Sequence, residues 1–330
     1  MITDTKVKIL GYIGTHKQAR AHDLVRVFGI SQVAVHKQLK KLLEEGKIRR
    51  VGKPPLVFYI LPATKKVEIS MEVSTEIRKV IDDNYLYISP VGELLYGFEG
   101  FAAWVRGIKE EARMIQLAEE YIKILEQFKS YRNSDGYINA TKKAKSTFED
   151  TAVDTLLYGD FYSIPKFGKT KLGQLVLYAK QSQNRDLINE LAILVKPTIE
   201  VIIQKFSIDA VAFIPPTVPR ALQFMDEFEK ALNLTIPSIE LVKVTSGEVT
   251  VAQKTLSRLD ERIANARDTI FLKSNENSYP NVLLIDDAVG SGATLNETAK
   301  KFKGIMVGKK SIIAFAIVGS FKGFDVIREV

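Results

Sequence analysis

The chain has 330 residues, and its 47 Lys and Arg exceed its 39 Asp and Glu by a formal net charge of +8. It has no cysteine, which excludes disulfides and thiolate metal sites, and its three histidines argue against a histidine-based zinc site. No run approaches the roughly 20 apolar residues of a membrane span, and no secretion signal begins the chain, so we expect a cytoplasmic protein of two or three domains that does not bind membranes.

The positive charge is concentrated at the N terminus. Residues 1–62 hold twelve Lys and Arg but only four Asp and Glu, an excess equal to the net charge of the whole chain. A basic excess confined to one small terminal module is typical of nucleic-acid binding. The alternative is that these bases are a solvated surface of a protein-interaction module.

The elements predicted in residues 1–62 follow the order of a winged helix-turn-helix domain. Apolar spacing predicts two helices before Gly29 and a third helix from Ser31 to Gly46. Two strand-like runs, 47–51 and 56–61, follow and would form the wing. Gly29 lies in the tight turn between the second and third helices, which is where a helix-turn-helix requires one.

In that arrangement the third helix enters the major groove of double-stranded DNA. Glutamine suits bidentate contact with adenine, and lysine suits guanine or phosphate. Basic residues after the helix would contact the DNA backbone from the wing. The candidate DNA-binding residues are Gln32, Val33, His36, Lys37, Lys40, Lys41, Arg49, Arg50 and Lys53.

The middle of the chain is predicted to be a mostly helical linker or dimerisation region. Ile108, Ile115 and Ile122 recur every seven residues in a predicted helix over 106–129, as in a stripe that packs against another helix. The stripe packs either within one chain or between two chains. Because helix-turn-helix proteins usually bind paired half-sites, we expect a homodimer. The polar run 131–146 is interpreted as a connection.

Strand and helix patterns alternate in the C-terminal half of the chain. Strands are predicted at 208–214, 239–244, 282–285 and 311–318, with helices at 218–232 and 293–303. This alternation predicts a parallel α/β sheet, whose ligands bind at the carboxyl ends of its strands. The predicted domains are a winged helix-turn-helix at 1–62, the helical region at 63–155 and the α/β domain at 156–330.

One stretch at the end of a predicted strand holds the residues with the clearest chemistry. Two adjacent carboxylates follow the apolar run 282–285 and precede a small-residue loop at a helix start. Such a loop and helix N terminus offer backbone N–H groups to a phosphate, and carboxylates suit sugar hydroxyls or a divalent cation. A ribose 5-phosphate would fit both the loop and the carboxylates. The alternative interpretation is that this stretch is an ordinary strand-to-helix turn. The candidate residues are Asp286, Asp287, Gly290, Ser291, Gly292, Ala293 and Thr294.

This order resembles the motif by which type I phosphoribosyltransferases bind 5-phosphoribosyl 1-pyrophosphate (PRPP), with Gly290-Ser291 where two threonines are usual. Gln253–Ser257, followed by Glu261-Arg262 and Asn265, resembles the ComF-like members of that family. The resemblance implies a type I phosphoribosyltransferase domain that binds PRPP or a nucleotide, with Mg²⁺ carried by PRPP. It also implies that the two aspartates are catalytic if the domain is active.

Two further stretches are candidates for binding pyrophosphate. The first is a proline-rich strand end at 214–220. The second is a long polar stretch at 245–268, since long loops in compact domains are usually lids or binding loops. The alternative for the second stretch is a solvated amphipathic helix. The candidate residues are Thr217, Arg220, Lys254, Arg258 and Arg262.

Three functions are consistent with these features. The layout resembles that of purine-operon repressors, which favours a DNA-binding transcriptional regulator with PRPP or a nucleotide as effector. The second function is an active transferase that makes a nucleotide and pyrophosphate from PRPP and a base. The sequence Arg220-Ala-Leu-Gln, where the family has Arg-Gly-Phe-Asn-Gln, favours PRPP binding over turnover. A nucleic-acid protein of DNA uptake or phage defence is the third.

Overall fold

A computed structural model describes residues 2–16, 18–52, 57–61, 73–89, 92–216, 220–244, 259–273, 279–305 and 311–322. The chain divides into two compact units, Met1–Ile122 and Lys123–Val330. The division lies inside the region 63–155, which the sequence pattern predicts as a domain of its own. Within the described ranges, no helix combines the length and the apolar character that crossing a bilayer requires.

The described residues up to 61 form three helices and a two-stranded antiparallel sheet at the predicted places. These elements are α1 (Ile2–His16), α2 (Ala21–Phe28), α3 (Gln32–Glu44), β1 (Arg49–Val51) and β2 (Phe58–Ile60). Gly29 ends α2 with a φ of 62°, and the Ser31 hydroxyl caps α3 by accepting a hydrogen bond from the Ala34 N–H at 3.3 Å. The core consists of Ile9, Ile13, Ala19, Leu24, Val35, Leu39, Leu42, Ile48 and Tyr59.

The rest of the first unit is built around an aromatic core. Its elements are α4 (Thr75–Asn84), β3 (Leu86–Ile88), β4 (Leu94–Tyr96), α5 (Gly97–Gly107), a 3-10 turn (Glu111–Arg113) and the start of α6 (Met114–Lys129). The ring of Tyr85 lies 5.2 Å from the rings of both Phe101 and Tyr121. These edge-on ring contacts hold α5 and α6 together around the residue that precedes β3.

The prediction of one continuous helix over 106–129 is wrong. The chain leaves the helical path after α5, where Lys109 has a φ of 58°, and α6 starts only at Met114. Ile108 and Ile115 are 44% and 36% exposed, so the predicted isoleucine stripe is not the buried face. Within the first unit, the buried face of α6 consists of Met114, Leu117, Ala118 and Tyr121. This spacing of three and four residues follows the helix period of 3.6.

The second unit contains the α/β architecture that the sequence predicts. Its elements are β5 (Ile138–Asn139), α7 (Thr141–Thr147), β6 (Thr155–Phe161), β7 (Ser163–Ile164), β8 (Gly168–Lys169), α8 (Lys171–Ser182), α9 (Arg185–Lys205), β9 (Ala210–Phe213), α10 (Phe224–Leu232), β10 (Leu241–Lys243), α11 (Leu259–Thr269), β11 (Ile270–Leu272), β12 (Asn281–Val289), α12 (Ala293–Ile305) and β13 (Ser311–Gly319). In the described part of this unit, five strands form one sheet in the order β5-β6-β13-β12-β9. All neighbouring strands in it are parallel except β5 and β6.

Three details of the second unit differ from the prediction. The run 131–146 is not a simple connection, because it contains β5 and α7. The predicted strand at 239–244 contacts the main sheet only at its start, where the Ile239 N–H donates to the Val211 carbonyl oxygen of β9 at 2.7 Å, and β10 pairs with β11 in a separate antiparallel ribbon. The strand β6, which no prediction covers, pairs with β13 inside the sheet.

The sheet is covered on both faces. Val282–Ile285 of β12 and Ile312–Val318 of β13 are buried in unbroken runs, whereas a strand with one solvated face would alternate. The helix α8 contacts β6 and β13, and α12 contacts β12. Because β6, β13, β12 and β9 are parallel, their carboxyl ends all lie at the same edge of the sheet.

Candidate functional site

A cavity of about 620 Å³ opens at the carboxyl edge of the sheet. Its size lies in the range of pockets that hold small molecules. The predicted residues that line it are Arg220, Arg262, Asp286, Asp287, Gly290, Ser291, Gly292, Ala293 and Thr294. The predicted Lys53, Thr217, Lys254 and Arg258 lie outside the described residues.

The loop between β12 and α12 forms one wall of the cavity. Gly292 has a φ of 87°, and its carbonyl accepts a hydrogen bond from the Asn296 N–H at 2.9 Å as α12 begins. The Ser291 hydroxyl accepts a longer hydrogen bond, 3.4 Å, from the Ala293 N–H. The first turn of α12, Ala-Thr-Leu-Asn, carries no acidic side chain. First-turn N–H groups have no partner within a helix, and the helix dipole is positive there, so this wall can bind an anion.

The two carboxylates in the C-terminal half of β12 form the adjacent wall. The Oδ1 atom of Asp286 accepts a hydrogen bond from the Asp287 N–H at 2.8 Å. Burial, and after it the charge of Asp287, raise the pKa of Asp286 to about 7, although the ammonium groups of Lys180 and Lys243 act in the opposite direction. Near neutral pH this carboxyl group can therefore accept or donate a hydrogen bond.

The carboxylate of Asp287 already has a cationic partner. It forms an ion pair with the Nζ atom of Lys180, which extends from α8. The side chains are 14% exposed for Asp287 and 34% exposed for Lys180, so solvent screens the pair only in part. The Lys180 ammonium also lies 5.9 Å from the centre of the Phe224 ring, at the start of α10.

The segment after residue 219 is attached to the C-terminal end of α8. The guanidinium of Arg220 donates a hydrogen bond to the Lys180 carbonyl oxygen. The Leu222 N–H donates to the Gln183 Oε1 atom at 2.9 Å. Arg220 therefore lines the cavity and at the same time fixes the backbone of the lysine that pairs with Asp287.

Three ionisable residues that line the cavity have no counterpart in the sequence prediction. Tyr162 follows β6, Lys180 lies in α8 and Lys243 ends β10. Burial lowers the pKa of Lys243 and raises the pKa of Tyr162. Lys180 precedes Asp287 by 107 positions, so no local pattern joins the two residues.

An ionic network connects α12 to the ribbon of β10 and β11. The carboxylate of Glu297, which is 2% exposed, accepts a hydrogen bond from Arg267 at 2.9 Å and pairs with Lys300 at 3.0 Å. The Lys301 ammonium donates to the Arg267 and Ile270 carbonyl oxygens. These contacts fix α11, and with it Arg262, next to the loop that starts α12.

The predicted DNA-binding residues of the first unit are exposed. This holds for Gln32, Val33, His36, Lys37, Lys40 and Lys41 on α3 and for Arg49 and Arg50 on β1. Val33 is 78% exposed although its side chain is apolar, and it does not belong to the core of this unit. The Arg49 guanidinium forms an ion pair with Glu93, whose side chain is 19% exposed.

No protein-family model matches the chain, and no curated protein sequence matches it. Among solved structures, a hypoxanthine phosphoribosyltransferase from Staphylococcus aureus matches with 11% sequence identity. The match covers 41% of this chain and 74% of that chain, with a TM-score of 0.24. A TM-score of this size is too low to establish a shared fold.

Proposed function

We propose that the chain is a DNA-binding regulator whose second unit binds a phosphorylated ribose, PRPP or a nucleotide, as its effector. The observation that carries the proposal is that the small-residue loop and the acidic pair line the same cavity. The loop offers N–H donors to a phosphate, and the carboxylates offer acceptors to ribose hydroxyls. With PRPP as ligand, Mg²⁺ would be bound mainly by the phosphate groups of PRPP.

The first unit supports the DNA-binding half of the proposal. Three helices followed by a two-stranded ribbon have the order of a winged helix-turn-helix. The helix α3 would be the recognition helix, because its polar and basic side chains are exposed and its apolar side chains form the core. A regulator of this kind would bind paired half-sites as a homodimer. The effector would change DNA affinity if it binds two states of the chain with different affinity.

A second candidate function is an active phosphoribosyltransferase. The observation that favours it is the pKa of about 7 at Asp286, since a carboxyl group with such a value can exchange protons near neutral pH. Release of pyrophosphate from PRPP and a panel of purine and pyrimidine bases would establish this activity. If the protein binds a ligand but releases no pyrophosphate, the effector role stands and the transferase function is excluded.

The proposal is tested by selecting DNA from a random duplex pool with the full-length protein, with and without PRPP or nucleoside monophosphates. We expect a discrete sequence to be enriched and its retention to change when the correct effector is present. Enrichment that no ligand alters would remove the effector role. A pool that stays random under every condition would remove the regulator.

Replacing Lys37 and Lys40 together by alanine is expected to lower DNA affinity about fivefold to tenfold, because each lysine would neutralise a phosphate. The slope of log K against log salt should become shallower by about two. Fluorescence anisotropy over a salt series measures both quantities. The matched control, Lys142→Ala with Lys145→Ala, removes the same charge from exposed positions on α7 and should leave both unchanged. Equal losses in the two variants would mean that only net charge matters.

Glu93→Gln is expected to raise DNA affinity about twofold to fivefold, because it releases Arg49 from its ion pair to contact phosphate. The same salt series should show a steeper dependence. Glu99→Gln makes the identical charge change at an exposed position of α5 and serves as the control. If the two variants behave alike, Arg49 does not face the DNA.

A further inference from the structure

The acidic pair has counter-ions supplied by the chain itself. Lys180 pairs with Asp287, and Lys243 lines the same cavity. Two neighbouring carboxylates would otherwise repel an incoming phosphate, and a divalent cation is the usual means of neutralising them. Here a lysine from α8, which itself lines the cavity, already pairs with one of the two carboxylates.

We propose that Lys180 is the counter-ion of the acidic pair during ligand binding, so that the site binds a nucleoside 5′-monophosphate without Mg²⁺. This inference rests on the ligand-binding part of the proposed function. It names the ligand class, a ribose with a single phosphate, and a residue that determines it.

Lys180 and a sugar can bind the same carboxylate. An ionised carboxylate has about four acceptor positions, so an ammonium group on one oxygen leaves positions for a ribose hydroxyl. Asp286, with its pKa near 7, adds further hydrogen-bonding capacity beside it. The ligand therefore need not displace Lys180 in order to bind both aspartates.

The position of Lys180 is fixed from two directions. At the start of α8, the Thr170 hydroxyl donates to the Phe161 carbonyl at 2.7 Å and accepts from the Gly173 N–H at 3.1 Å. A Cβ atom at Gly173 would lie 2.1 Å from the Tyr162 carbonyl oxygen, so α8 packs directly on the chain after β6. At the other end, Arg220 donates to the carbonyl of Lys180 itself. A cation on a fixed backbone can substitute for a bound metal at little entropic cost.

The number of cations in the cavity favours one phosphate over three. A monophosphate carries up to two negative charges, and the loop and dipole at the start of α12 can balance much of them. The described cations that line the cavity are Lys180, Arg220, Lys243 and Arg262, and they exceed the two aspartates by a formal charge of +2, which matches one phosphate. PRPP adds a pyrophosphate, whose further negative charge exceeds this balance. A nucleoside monophosphate is therefore the ligand whose charge the described residues match without a metal.

Calorimetry with the full-length protein tests the inference. AMP, GMP, CMP, UMP and PRPP are titrated singly, each once with excess Mg²⁺ and once with EDTA. We expect at least one monophosphate to bind with equal affinity under both conditions. Monophosphate binding that requires Mg²⁺, or binding of PRPP alone, would overturn the inference and leave the proposed effector role standing. No binding by any ligand would overturn the effector role itself, and the inference with it.

Lys180→Met then identifies the counter-ion. Its affinity for the monophosphate should fall about tenfold in EDTA, the size of one charge contact in a half-buried site, and Mg²⁺ should restore it. Lys180→Arg keeps the charge and should keep metal-independent binding, which guards against a Met variant that folds poorly. Lys171→Met, on the same helix but outside the cavity, should resemble the parent protein. Unchanged binding by Lys180→Met in EDTA would exclude the proposed role.

Discussion

Replacing Asp286 by asparagine is expected to stabilise the folded chain at pH 8, on the order of 2 kcal/mol, while weakening effector binding about tenfold to a hundredfold. In the folded chain, burial raises the pKa of this carboxyl group to about 7 from its ordinary value of 3.8. The folded state therefore holds the proton more tightly than the unfolded state. Stability is lost as the pH rises from about 4 to about 7, and it does not return above that range.

Asparagine does not ionise, so the variant avoids this loss and keeps an oxygen that can accept the Asp287 N–H. The gain in stability of Asp286→Asn over the parent protein should be greatest above pH 7 and should disappear near pH 4. Binding should weaken because a neutral amide replaces an acceptor for ribose hydroxyls. A residue that costs stability yet is required for a ligand is typical of a functional site.

Denaturant unfolding at pH 4.5 and pH 8, with calorimetric titration of the effector, measures both effects. Asp268→Asn, at an exposed position on α11, is the surface control and should change neither quantity. Asp287→Asn is the informative comparison, because it should also weaken binding but removes the partner of Lys180 and gains no stability. At each pH, the free energy of unfolding of Asp286→Asn is compared with that of the parent. A smaller gain at pH 8 than at pH 4.5 would contradict this account.

Gly292→Ala is expected to lower effector affinity about tenfold to thirtyfold, because a φ of 87° costs an L-residue about 1–2 kcal/mol. The cost arises from the backbone and not from crowding. A Cβ atom there would lie 3.5 Å from the Phe148 ring and 4.0 Å from the Val289 side chain, which are ordinary contact distances. The loop is expected to relieve the strain by shifting, which moves its N–H groups away from the phosphate.

The same loop provides a matched control for this substitution. Gly290 has no positive φ, and a Cβ atom there would lie 3.9 Å from the nearest Arg262 nitrogen. Gly290→Ala should therefore bind the effector like the parent protein. Calorimetry on both variants makes the comparison, with unfolding curves to show that each is folded. Equal effects at the two positions would mean that the loop does not hold the phosphate through its backbone geometry.

Apart from Arg220 and Arg262, the predicted residues that line the cavity lie close together in the chain. Asp286 to Thr294 form one strand end, one loop and one helix start, so their chemistry is visible in a single short window. Lys180, Tyr162 and Lys243 come from three other elements, and only the strand order of the sheet brings them to the same edge. In the sequence, nothing distinguishes Lys180 from a surface lysine of a helix, and nothing distinguishes Tyr162 and Lys243 from ordinary residues at strand ends.

The fold shows the same dependence on local signals. The helices and strands of residues 1–61 were predictable because caps such as Ser31 and stops such as Gly29 have specific backbone roles. The strand β6, Thr-Leu-Leu-Tyr-Gly-Asp-Phe, has a glycine and an acid near its end that resemble a turn. Its burial depends on β13, which lies far away in sequence. Long-range pairing decided its structure, and a local window does not contain that information.

The position of β13 in the sheet has a consequence for how the chain is made. It lies between β6 and β12, and at its start the Ile312 N–H donates to Asp154, 158 positions earlier in the chain. Until residues 311–319 have left the ribosome, β6 and β12 both expose an unpaired apolar edge, which is a site for aggregation or chaperone binding. Val318 and Ser320 also line the cavity, so the cavity is complete only after residue 320 has been synthesised.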